Sequence, residues 1–72
     1  MTDSPPSTLL VNGQSRPLPA GGTIAALLSE LQLDARYLAV ELNLRLIPRA
    51  RHAEQRLAPG DSVEIVTLVG GG

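Results

Sequence analysis

Residues 8–18 read Thr8-Leu9-Leu10-Val11-Asn12-Gly13-Gln14-Ser15-Arg16-Pro17-Leu18. An aliphatic run meets Asn-Gly, and a second short run follows. Asn-Gly tolerates positive φ at both central positions of a tight turn, so this stretch predicts a β-hairpin. Pro17 has no N–H to give a ladder, which assigns the second strand, Gln14 to Leu18, to a sheet edge. An isolated hairpin is marginal in water, so later parts of the chain must cover its apolar face.

The cover comes next. Pro19-Ala20-Gly21-Gly22 is a loop and Thr23 is a helix N-cap. Ile24, Leu27, Leu28 and Leu31 then recur at helical spacing, which predicts a helix from Ile24 to Gln32 with one apolar face. Tyr37 to Asn43 alternates, with Leu38, Val40 and Leu42 on one face and Ala39, Glu41 and Asn43 on the other. Leu44-Arg45 is expected to bend, and Leu46-Ile47 to form a short fourth strand ended by Pro48. Arg49 to Arg56 is polar, with room for one helical turn. Leu57 reads as a plug into the core, and Ala58 to Asp61 as a turn that Asp61 serves. Ser62 to Val69 is the last strand. The order β-β-α-β-β-β predicts an α+β domain with one helix across a mixed sheet. Periodicity alone gives only α+β; by its element order the chain resembles the β-grasp, ubiquitin-like architecture. It implies four to five strands, with the first and last side by side and parallel. The expected organisation is a disordered extension at 1–7, a domain at 8–69 and a flexible Gly tail at 70–72.

Composition narrows the function. The 72 residues suffice for one small domain. A domain this small buries only about 60% of its unfolded surface, which leaves little room for a deep pocket. Net charge is −1, without the basic stripe expected of a nucleic-acid or membrane-surface protein. All six basic residues are Arg, so the chain has no lysine for Schiff-base or P-loop chemistry. Cys is absent, which removes disulfides and thiol catalysis. There is no apolar run of about 18 residues. Met1–Ser7 lacks the basic and apolar regions of a secretory signal. A cytoplasmic protein, monomeric when free, is therefore expected.

What remains is the end of the chain. Gly70, Gly71 and Gly72 follow the last strand. Without side chains they cannot pack, and their φ/ψ freedom is wide. Extended, they reach about 10 Å, at roughly 3.3–3.6 Å per residue. Such a tether suits delivery of the terminal carboxylate into a narrow active site of another protein.

Four pieces of the chain carry a resemblance: Ala39-Val40-Glu41-Leu42-Asn43, Ile47-Pro48-Arg49, Gly60-Asp61-Ser62-Val63-Glu64-Ile65-Val66 and Val69-Gly70-Gly71-Gly72. With the Val11-Asn12-Gly13 turn, their order and spacing resemble the thiamine-biosynthesis sulfur carrier family, ThiS, over Thr8 to Gly72. Leu44 departs from the pattern, since a Gly or polar residue is frequent there. The resemblance implies that the chain is a protein co-substrate and not an enzyme, with no cofactor of its own. A ThiF-like adenylyltransferase would use ATP to adenylylate the Gly72 carboxylate. Sulfur from a persulfide, supplied indirectly by a cysteine desulfurase, would then give a thiocarboxylate for thiazole synthase. Gly71 and Gly70 would deliver it.

Alternation sends Glu64, Val66 and Leu68 to the face opposite the helix, and Leu10 to the same face. Leu10, Val66 and Leu68 are thus expected to form an apolar docking surface beside the tail. His52, with no metal-ligand spacing around it, reads as a surface residue. Arg45, Arg49, Arg51 and Arg56 read as solvated surface or as contacts to an acidic partner. Glu41 and Glu64 are expected to face outward. Two other readings stay open at this point. One is a sulfur carrier for another pathway, such as molybdopterin, cysteine or a secondary metabolite. The other is a β-grasp interaction module or amide-forming modifier that never carries sulfur.

Overall fold

The hairpin forms where Asn-Gly demands it. In the computed structural model, which describes residues 7–68, β1 (Thr8–Val11) pairs antiparallel with β2 (Gln14–Pro17). Asn12 and Gly13 take φ of 50° and 83°, the two positive values that a twisted two-residue hairpin needs. Residues 1–6 and 69–72 lie outside the described part, and with them most of the expected extension and the expected Gly tail.

The helix α1 (Ile24–Glu30) is followed by β3 (Leu38–Leu42), β4 (Arg45–Ile47) and β5 (Ser62–Thr67). The sheet order is β2-β1-β5-β3-β4. β5 runs parallel to β1 and antiparallel to β3, so the last strand closes the centre of the sheet. The β-grasp expectation holds, with β2 and its Pro17 at the edge. One face of the sheet supplies Leu9, Val11, Leu38, Val40, Leu42 and Val63 to the core. The helix supplies Ile24, Leu27 and Leu28, and Leu57 fills in from the loop as expected. Burying such an aliphatic side chain contributes about 1.5–3 kcal/mol. No helix among the described residues is long and apolar enough to cross a membrane.

Both ends of the short helix are tied to the rest of the chain. Thr23 Oγ1 accepts from the Ala26 N–H at 3.1 Å, which confirms the cap. The first two helical N–H groups donate to Gln55 O and His52 O, so the polar loop after β4 satisfies donors that a helix leaves orphaned. At the other end the helix stops at Glu30, short of the expected Gln32. Leu33 N–H reaches back to Leu28 O and Gln32 N–H to Ser29 O, while Gln32 itself sits at φ 59°. That is a left-handed Schellman termination built on a residue other than glycine, and periodicity gives no sign of it.

Two more expectations shift by local hydrogen bonding. The bend lies at Asn43-Leu44, one residue earlier than read, because Leu42 pairs with Arg45. Asn43 and Leu44 have φ of 51° and 71°, a second tight turn of the Asn-Gly kind with leucine at the glycine position. Asn43 Oδ1 accepts from the Ser62 N–H at 2.9 Å, and its amide donates to Asp61 Oδ1, which pins the turn to the start of β5. Asp61 also accepts from Ala58 N–H through Oδ2, the turn role assigned to it. The left-handed region costs an L-residue about 1–2 kcal/mol, and Leu44 is 86% exposed. Leu44→Gly should therefore stabilise the domain by about 0.5–1 kcal/mol after the entropy cost of glycine. A thermal melt that moves up, with unchanged spectra, checks it.

His52 is the clearest reversal. It is buried, not on the surface, at 4% exposure. Its Nε2 lies 3.0 Å from Ile47 O and must be the protonated nitrogen, because a carbonyl only accepts. Among the described residues the buried Nδ1 has no hydrogen-bond partner. Its backbone carbonyl serves the helix N-terminus, so the ring is drawn inward by the loop that caps α1. A single His in a polar segment carries no such signal.

Candidate functional site

β5 leads directly to the terminal glycines, so its far end is where the candidate site begins. Beyond Thr67 the Leu68 N–H donates to Tyr37 O at 2.8 Å, continuing the β3–β5 register. Ala39 lies opposite Val66 in that register. Val66 and Leu68 are half-exposed, at 53% and 51%, and Tyr37 is exposed at 55%. Strand alternation places Ala39, Val66 and Leu68 on the face away from the helix. An exposed apolar patch thus lies at the described end of β5.

Its membership differs from the expectation. Leu10 is exposed, but the parallel register sets it level with Ser62, four residues before Val66. At about 3.3 Å per residue, that is roughly 13 Å along the strand. Alternation gave the correct face, but it says nothing of register. Leu10 belongs to the far end of the open face, and Tyr37 takes the place beside Leu68. Tyr37 is the sole aromatic of the chain, a signal that the alternating pattern obscured. Leu46, 66% exposed and paired with Glu41, also lies on this face and escaped the sequence reading.

Between the two ends lie Glu41 and Glu64, directly opposite each other. Like charges in that relation oppose sheet formation slightly. Among the described residues, ion pairs join Arg36 to Asp34 and Arg51 to Glu54, and neither includes these two glutamates. The Arg residues of the loop are divided. Arg45 and Arg51 line an open cleft with Leu46, Ile47 and Pro48, Arg49 lines a second cleft beside His52, and Arg56 packs over Gly22.

Two polar devices hold the root. The Asn12 side chain accepts from Ile65 N–H at 2.7 Å and donates to Ile65 O at 3.2 Å. It pairs with the strand as a peptide unit would, and so extends the hold of β1 on β5 past the hairpin turn. On the other side, Asp34 caps the 3₁₀ turn Ala35–Tyr37 by accepting from the Arg36 N–H at 2.9 Å. Its carboxylate also takes the Arg36 guanidinium, 2.7 Å from Nη2 to Oδ2, and that guanidinium lies 5.3 Å from the centre of the Tyr37 ring. The hydrogen bond from the Arg36 side chain, followed by that from its backbone, holds the Asp34 carboxyl below its ordinary value of 3.8, at about 2. A depressed carboxylate stabilises above its unfolded value, and loses that contribution as pH falls through the folded one. The Asp34–Arg36 pair should accordingly stay closed at pH 4 and open only toward pH 2. Carboxyl carbon shifts of Asp34 followed by NMR titration check this.

The sequence profile of the ThiS family matches residues 9–72, nearly the whole chain and through the last glycine. The chain belongs to the ThiS family. Relatives agree with that assignment. The sulfur carrier protein ThiS of Bacillus subtilis is 43% identical over 51 residues, which cover 71% of this chain and 77% of that protein. A thiazole synthase of Paramagnetospirillum magneticum is 44% identical over 64 residues, 89% of this chain, and there the match spans only 20% of the longer protein. Among solved structures, the crystal structure of the thiamine biosynthesis protein ThiS from Geobacter metallireducens superposes with a TM-score of 0.75 at 32% identity. It covers 90% of this chain and 99% of that one. The ThiS-family chain thus has the β-grasp fold of its relatives. The site expected from the sequence, Gly70-Gly71-Gly72, lies beyond the described residues.

Proposed function

We propose that this ThiS-family chain is a sulfur carrier for thiamine thiazole synthesis, with the Gly72 carboxylate as the group that is activated and loaded. The observation that carries the reading is a family match that runs through Gly72 on a domain of the family's fold. The chemistry follows from the carboxylate. It is a poor electrophile, and transfer of AMP from ATP, with release of pyrophosphate, gives it a good leaving group. A ThiF-type adenylyltransferase performs that step. The outer sulfur of a persulfide then displaces AMP to give an acyl disulfide, and a thiol reductant cleaves its S–S bond, releasing the thiocarboxylate and leaving a disulfide. The chain acts as co-substrate and returns with its carboxylate. Thiazole synthase is the proposed acceptor. A relative named thiazole synthase, one-fifth of which matches this chain, supports that choice of acceptor.

Incubation with ATP, a ThiF-type adenylyltransferase and a sulfide source, followed by intact-protein mass measurement, tests the proposal. The expected result is replacement of one oxygen by one sulfur at the C-terminal residue. An unchanged mass, with the enzyme active on another carrier, rejects it.

The tail root is the proposed docking surface for the adenylyltransferase. Leu68→Glu places a charge on its apolar patch without touching the core, because Leu68 is exposed. Charging an apolar interface residue should weaken binding by about 10-fold or more. Titration calorimetry checks the affinity, and an unchanged melting temperature shows that the fold survives.

A further inference from the structure

Past Ile65, where the Asn12 side chain holds β5, the strand has β3 as its neighbour on one side, while β1 has turned away into its hairpin. The last step of that one-sided hold is Leu68 N–H to Tyr37 O. Tyr37 O belongs to the 3₁₀ turn before β3, not to the strand itself. The direction of that carbonyl therefore depends on the turn. The turn depends in turn on Asp34, which accepts from the Arg36 N–H through its side chain and from the Tyr37 N–H, at 3.0 Å, through its backbone. The same carboxylate keeps the Arg36 side chain folded against Tyr37.

We infer that Asp34 is a positioning residue for Leu68: by capping the Ala35–Tyr37 turn it aims the Tyr37 carbonyl at the Leu68 N–H and so fixes the residue from which the sequence runs on to Gly72. The inference rests on the proposed sulfur-carrier role for its consequence in loading, but not for its structural part. A fixed Leu68 is a residue that a partner enzyme need not order. Residues freed at the root would have to be ordered during the encounter, at an entropy cost per residue that lowers the loading efficiency.

Two variants of the full chain separate this role from simple stability. Asp34→Ala removes both the cap and the ion pair, whereas Asp34→Ser keeps a capping oxygen and removes only the charge. Amide hydrogen exchange at Leu68 is one readout, and steady-state loading by a ThiF-type adenylyltransferase is the other. Asp34→Ala should speed Leu68 exchange and lower kcat/KM for loading about 10-fold, with exchange at Leu27 and Val40 unchanged. Asp34→Ser should retain most of the wild-type loading. The inference is overturned if Asp34→Ala leaves Leu68 exchange at its wild-type rate, or if core amides lose protection along with Leu68. Wild-type kcat/KM in Asp34→Ala also overturns it. Failure of the unmodified chain to load counts against the proposed function alone, and Leu68 exchange then decides the positioning role by itself.

Discussion

Deletion of Gly72 should lower thiocarboxylate formation at least about 10²-fold and leave the melting temperature unchanged. The variant still ends in a glycine carboxylate, so the reacting group is the same. What changes is reach. One residue of extended chain spans about 3.3–3.6 Å. A misplacement of even 1 Å at a reacting centre can cost about 10²-fold, because the advantage of a bound, aligned reactant is lost. No core residue is involved, since the core is built from β1, α1, β3, β5 and Leu57. Intact-protein mass after incubation with ATP, adenylyltransferase and sulfide gives the loading, and a thermal melt gives the stability. Loading at the wild-type rate would mean that the terminal position is not what the partner reads.

The second large effect is on the fold. Leu27→Ala should remove about 2–5 kcal/mol of the domain's stability, a large part of its total. Leu27 lies on the inner face of a helix of only seven residues and is 2% exposed. A buried Leu→Ala costs about 2–5 kcal/mol through lost transfer energy and the cavity left behind. A chain of 72 residues has about 4–11 kcal/mol of stability in total. With one layer of aliphatic side chains between helix and sheet, there is little second-layer packing to relax into the void. Circular dichroism and a urea titration measure the loss, and the Leu44→Gly variant should partly restore it, because the two sites do not touch.

Together these variants separate the two halves of the molecule's task. Gly72 is the proposed site of the chemistry, whereas Leu27 lies in the core beneath the helix. Asp34 and Asn12 lie between, where polar side chains from two loops steady β5 and the residue that follows it.

The sequence alone determined the hairpin, the helix and its cap, the alternation of β3 and β5, and the Leu57 plug. Each is a local pattern: Asn-Gly fits one turn, 3.6-residue spacing fits one face, and Thr23 offers an oxygen to a helix start. It also singled out Gly72, by the absence of other reactive groups and by its resemblance to ThiS. The tertiary structure decided matters that hang on register and on long-range hydrogen bonds. It moved Leu10 away from the tail root and brought Tyr37 to it, because alternation gives a face but not which residues stand opposite. It buried His52, because the loop carrying it must supply carbonyls to the helix N-terminus. It placed Leu44 in a glycine conformation, because Asn43 is tied across to Ser62. And it linked Asp34 to Leu68 through Tyr37, a connection across the sheet that no spacing within the chain encodes.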